Sequence, residues 1–122
     1  MSGRRSERGA VSLVTAAVAG MALVLAMGAA DVARVLVASA RAQTAADSAA
    51  LATAQELAIP SGRDPAAVAA DYAGKNGGSL VACRCDPGTF EATVTVSVGV
   101  GPLVLVPGER AVEAAARAVV GT

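Results

Sequence analysis

Between Arg8 and Asp31 the chain carries no charged residue, and the 21 residues from Ala10 to Ala30 form one uncharged run. No other feature limits the fold as much. As a helix rising about 1.5 Å per residue, the run would be about 31 Å long, close to the roughly 30 Å hydrocarbon core of a bilayer. Its large apolar residues, including Val11, Leu13, Val18, Met21, Leu23 and Val24, spread around the whole helix circumference. A helix lying on a soluble core would confine them to one stripe. Ser12 and Thr15 do not oppose insertion, because each hydroxyl bonds back to a carbonyl one turn earlier. Residues 10–30 therefore read as a membrane-inserted helix.

The flanks give its orientation. Arg4, Arg5 and Arg8, partly offset by Glu7, make residues 1–9 a short basic leader of the kind that stays cytoplasmic. Beyond the run the signs are mixed, with Asp31, Arg34, Arg41 and Asp47. The N-terminus is expected inside and the C-terminus outside, in a single-pass protein of the cell membrane. Asp31 and Arg34 are expected at the outer boundary, solvated by water or headgroups and weakly paired at i, i+3. Replacing Asp31 by Leu would then merely lengthen the span. The alternative is a secretory signal, with Gly28 and Ala30 at the small positions before a cut at Asp31 and the remainder secreted. The run is longer than the roughly 7–15 residues of a usual signal core.

Composition narrows the function. The 122 residues allow one domain with an appended segment. Ten basic residues balance ten acidic ones, which argues against nucleic acid as a partner. There is no His, so His-dependent nucleophilic catalysis and His-ligated metal sites are excluded. Hydrophobic residues reach 54% but aromatics only 2%, Tyr72 and Phe90, with Ala supplying the excess. The carboxylates are scattered, and Gly99-Val100-Gly101 lacks the context of a phosphate loop. No catalytic constellation, cofactor, metal or small-molecule substrate is indicated.

From Asp31 to Ala58 there is neither Gly nor Pro, so the helix is expected to continue outside the membrane until Pro60 and Ser61-Gly62 stop it. Spacing by threes and fours marks Val35, Ala38, Ala42, Ala45, Ala49 and Ala52 as a stripe of small apolar side chains. Such a stripe suits a helix clamped on a sheet or bundled with copies of itself. Asp64-Pro65 should cap a second helix running to about Gly74, with Ala66, Ala69, Ala70 and Ala73 inward. Ser79–Cys83 and Thr89–Val98 read as strands, the latter with clean period-two alternation. Leu103–Val106, between Pro102 and Pro107-Gly108, is a third candidate strand. Residues 109–120 fit helix or strand, with a slight lean to strand as a fourth. The expected class is α+β: a long N-terminal transmembrane helix (10–30) continuing outside the membrane (31–59), then a small extracytoplasmic domain (60–122). That domain would hold a short helix and an antiparallel sheet of three or four strands.

Cys83 and Cys85 are the only cysteines. Two thiolates without His do not complete a metal site. Outside the membrane they read as structural or free thiols, as a local disulfide, or as an intermolecular bridge. In a straight strand residues i and i+2 are about 6.5–7 Å apart, so a local bridge needs a bend, which Asp86-Pro87-Gly88 would allow.

The stretch Arg8-Gly9-Ala10-Val11-Ser12, the apolar run, Asp31-Val32-Ala33-Arg34 and the segment Gln43-Thr44-Ala45-Ala46-Asp47-Ser48-Ala49-Ala50-Leu51-Ala52 together resemble TadE/TadG-like proteins. These are pilin-like components of tight-adherence, or Flp-type, pilus systems. The small size and Ala/Val-rich composition look more like the short TadE-like proteins of actinobacteria than the long TadG type. The resemblance implies a pseudopilin-like membrane protein of pilus assembly or related secretion, with a structural role. Its partners would be other pilin-like or tight-adherence assembly proteins, or further copies of itself. It also implies a prepilin-type cut between Gly9 and Ala10. Val14 then stands where the fifth mature residue is usually Glu, a departure that removes the usual charge pairing in filament assembly.

Overall fold

The structure, a computed structural model, describes residues 2–106 and 108–121, with side chains described from Glu7 onward except for Pro107. Helix α1 runs unbroken over Ser2–Ala58, 57 residues and therefore about 85 Å. It starts within the basic leader rather than at Ala10. The side chains of Arg4 and Arg5 lie outside the described residues. Helix α2 covers Pro65–Lys75, and three strands follow, β1 Ser79–Arg84, β2 Glu91–Val100 and β3 Arg110–Val119. The strands pair antiparallel in the order β1-β2-β3.

The connection between the helices is short and tied down. The Glu56 carboxylate, in the last turn of α1, accepts from the backbone N–H and hydroxyl of Ser61 at 2.8 Å and from the Arg63 N–H at 3.2 Å. These bonds hold the Glu56 carboxyl below its ordinary pKa, the Ser61 N–H contributing most. Pro65 stands at the start of α2, where its missing N–H costs nothing. Asp64 precedes it in extended conformation, without a side-chain capping bond. Gly77, at φ 79°, turns the chain, and the Gly78 N–H closes the helix on the Ala73 carbonyl.

The core lies along one side of α1. From β2, Ala92, Val94, Val96 and Val98 are buried against it, while Thr93, Thr95 and Ser97 lie on the opposite face. The alternation expected from the sequence is thus the alternation between helix and solvent. Ala45, Ala46, Ala49 and Ala50 of α1 meet Ala69 and Ala73 of α2 and Val94 and Val96 of β2 in one cluster. Gly78 is at the closest approach. A Cβ there would stand 3.2 Å from the Ala45 methyl and overlap the Val96 side chain, so β1 reaches the helix only with glycine at its entry. Each buried Val contributes about 1.5–3 kcal/mol, so the valines of β2 carry more of the burial energy than the alanines facing them.

Two expectations are corrected. Residues 103–106 are not a strand but part of a bent loop between β2 and β3. The flanking proline at Pro102 has no N–H to give a ladder, and the loop's own amides are bound elsewhere, as described below. The sheet accordingly stops at three strands, with residues 110–119 as its last. On α2 the inward residues are Val68, Ala69 and Ala73 with Tyr72 alongside, whereas Ala66 and Ala70 are exposed. The larger Val68 and Tyr72 decide which face is buried, because they have more apolar area to lose.

Candidate functional site

Two surfaces of α1 differ sharply. Every side chain from Glu7 to Ala26 is exposed, including Val11, Leu13, Val18, Met21 and Leu25. None of the described residues covers this stretch. It is long and apolar enough to cross a membrane. From Met27 onward the helix begins to acquire neighbours, and by Ala42 its inner face is closed.

The expected stripe falls on that inner face. Ala38, Ala42, Ala45 and Ala49 are buried, and Val35 and Ala52, at its ends, are half-buried. They lie against the sheet of the same chain: Ala38 and Ala42 cluster with Val98, and Ala45 and Ala49 with Val94 and Val96. The stripe is therefore occupied within the molecule. The run from Gln43 to Ala52 has a simple physical reading. Its alanines at 45, 46, 49 and 50 are where the sheet and α2 both close on α1. Gln43 and Asp47 stay outside and bond to each other at 2.9 Å. Thr53, buried one turn further on, donates its hydroxyl to the Ala49 carbonyl at 2.7 Å and leaves no polar atom unsatisfied.

At the junction between the bare and the covered helix, the structure departs from the sequence reading. Asp31 is not solvated. It is 7% exposed, and its two carboxylate oxygens accept the backbone N–H groups of Val104 at 2.7 Å and Leu105 at 2.8 Å. Arg34, expected to pair with Asp31, donates instead to the Pro102 carbonyl. Two charges on one turn of α1 thus clasp the loop between β2 and β3. The Val104 N–H and then the Leu105 N–H hold the Asp31 carboxyl below its ordinary pKa, the nearby Arg34 adding to the effect. The sequence signal for this clasp was thin: an apolar tetrapeptide bounded by prolines, too short to be a confident strand.

Cys83 and Cys85 are joined in a disulfide with their Cα atoms 5.6 Å apart, closer than in a straight strand. The register slip between Leu80 and Ala82 adds twist to β1 just upstream. Gly9 and Ala10 lie on an exposed, continuous part of α1. Among the described residues no cluster of His, Cys, Asp and Glu has the makings of a metal site. The closest contacts between opposite charges are surface pairs, such as Arg117 with Glu91 across β3 and β2 at 2.6 Å and Lys75 with Asp71 at 3.3 Å. Among the described residues nothing gathers acid, base and nucleophile. What it offers is an uncovered apolar rod joined to a small folded head.

In comparison with known families, residues 9–56 match the family described as "Putative Flp pilus-assembly TadE/G-like". The matched segment is the bare span, the clasp residues Asp31 and Arg34, and the alanine face of α1. Searches of curated proteins and of solved structures return no match.

Proposed function

From the match of residues 9–56 to the TadE/G-like family of Flp pilus assembly, we propose that this chain is a single-pass membrane protein with a structural, pseudopilin-like role in building the pilus or its secretion machinery. In this reading residues 1–9 are a cytoplasmic leader, 10–30 the anchor, 31–59 the extramembrane helix and 60–122 the remainder of an extracytoplasmic head. The observation that carries it is the uncovered apolar surface from Val11 to Ala26, continuous with a helix whose other half is engaged along its inner face by the sheet and α2. A soluble protein would leave that length of apolar helix in water, at a cost of about 25 cal/mol for every Å². The basic leader sets the N-terminus inside. Its partners are other pilin-like or tight-adherence assembly proteins, reached through the span and the exposed face of the head. The role needs no catalytic group.

The test is topology in living cells. With Cys83 and Cys85 replaced by Ser, Ile59→Cys places a thiol at a fully accessible position on the head. It should react with a membrane-impermeant maleimide in intact cells, and the protein should resist alkaline carbonate extraction. Labelling only after lysis would reverse the orientation. A mature protein beginning at Asp31 and released to the medium would mean that the span is a signal, removed after export.

A further inference from the structure

Beside the span and the outer face of α1 at Val32, Leu36 and Val37, the loop between β2 and β3 is a further apolar surface that the fold leaves uncovered. Its tip, Val104 and Leu105, is 51% and 48% exposed although the head has a core in which such residues are usually placed. Its position is specific. Leu105 Cδ1 comes within 3.7 Å of where a Cβ on Gly28 would be, so the loop touches α1 three residues inside the uncharged run. At about 1.5 Å per residue, that contact lies about 4.5 Å below the level of Asp31.

We propose that this loop is a second membrane contact: Val104 and Leu105 dip into the lipid interface beside the anchor and fix the head against the bilayer surface. The proposal rests on the reading of residues 10–30 as a retained span. Three observations converge on lipid as the occupant. The exposed tip is continuous with the bare surface of α1, so any bilayer that surrounds residues 10–30 reaches Gly28 and hence Leu105. Residues 103–106 carry no polar side chain. Above all, backbone that enters an apolar medium must have its N–H groups satisfied by the protein. The two N–H groups at the tip are the ones Asp31 binds, with Arg34 holding the Pro102 carbonyl on the near side. A loop meant for water would need no such provision, because water would serve the same groups. The expected depth is that of an interfacial element, about 5–10 Å into the boundary between headgroups and acyl chains.

The chain contains no Trp, so a single introduced indole reports on one place. The full-length protein is reconstituted into phosphatidylcholine–phosphatidylglycerol vesicles, with or without bromine on the acyl chains. Four variants are compared: Leu105→Trp and Val104→Trp in the loop, Val24→Trp in the span, and Ile59→Trp at the distant end of α1. The expected result is blue-shifted emission and strong bromolipid quenching for Val24→Trp and for at least one of the loop variants, with neither for Ile59→Trp. Quenching at Val24 while both loop positions behave like Ile59 would overturn the loop contact and leave the anchor standing. Blue-shifted loop emission without bromolipid quenching would also overturn it, by showing that protein, such as a second copy, covers the tip. No quenching at Val24 would remove the anchor and the loop contact together.

Discussion

Asp31 shows how far one side chain's role depends on what the fold brings to it. Read from the sequence, it is the first charge after a membrane run, and Asp31→Leu would lengthen the span at little cost. With Val104 and Leu105 donating to its two oxygens, the same substitution leaves both amides without their acceptors. We therefore expect Asp31→Leu to free the loop, and hydrogen exchange at the amides of 104 and 105 to accelerate markedly while those of β2 keep their protection. The pH dependence has a definite sign. Because the folded carboxyl is held below its ordinary value, first by Val104 and then by Leu105, its contribution is complete above the unfolded pKa of about 3.9. It is lost as pH falls through the lower, folded value. Exchange at the two loop amides, corrected for intrinsic rates, should rise on acidification in the native chain and stay flat in Asp31→Asn. The disulfide makes a smaller, local contribution. It closes a loop of three residues, so replacing Cys83 and Cys85 by Ser should cost roughly 1–2 kcal/mol on the loop-entropy scale, read as a lowered midpoint in urea.

The elements differ in how much of their placement the sequence alone discloses, and α1 discloses most. The absence of Gly and Pro from residues 31 to 58, joined to the uncharged run, leads directly to one long helix, and the spacing of Val35, Ala38, Ala42, Ala45, Ala49 and Ala52 picks out the face that meets the sheet. β2 is equally plain, because its valines alternate with Thr and Ser. Where Ala dominates, periodicity loses its force. Residues 110–119 alternate in burial only because β2 lies beside them, and Ala66 and Ala70 match an inward spacing on α2 that Val68 and Tyr72 overrule. Residues 103–106 mislead for another reason: four apolar residues resemble a strand until their amides are found on Asp31. The close fit of α1 to the sheet yields a sharp comparison. Ala45→Leu or Ala49→Leu forces a bulky side chain between the helix and Val94 or Val96, at about 1–3 kcal/mol per site. Thr44→Leu, on the exposed side, should change little. With a shift of about 4–8 °C for each kcal/mol in a domain of this size, thermal melts followed by circular dichroism in detergent should separate the two groups clearly.

At the scale of the whole molecule, one helix serves two environments. Its first half has no contact with the head until Met27, and its second half is the floor on which α2 and the sheet are built. The two halves should therefore fail independently. Val18→Asp places a carboxylate near the middle of the span, where insertion costs about 2.5–3.5 kcal/mol, and Val24→Asp, nearer the boundary, should cost less. Both substitutions should reduce the carbonate-resistant fraction, Val18→Asp more strongly, yet leave the protease resistance of the head unchanged. Ala49→Leu should do the reverse, loosening the head while membrane retention stays native. Along α1 these positions are about 46 Å apart, far beyond the roughly 7–10 Å over which substitutions usually couple. In the double variant Val18→Asp/Ala49→Leu the two defects should thus simply add, each with the size seen alone. A head that loosens with Val18→Asp by itself would show that the bilayer, acting through the Asp31 clasp and the loop it holds, is part of what keeps the head folded.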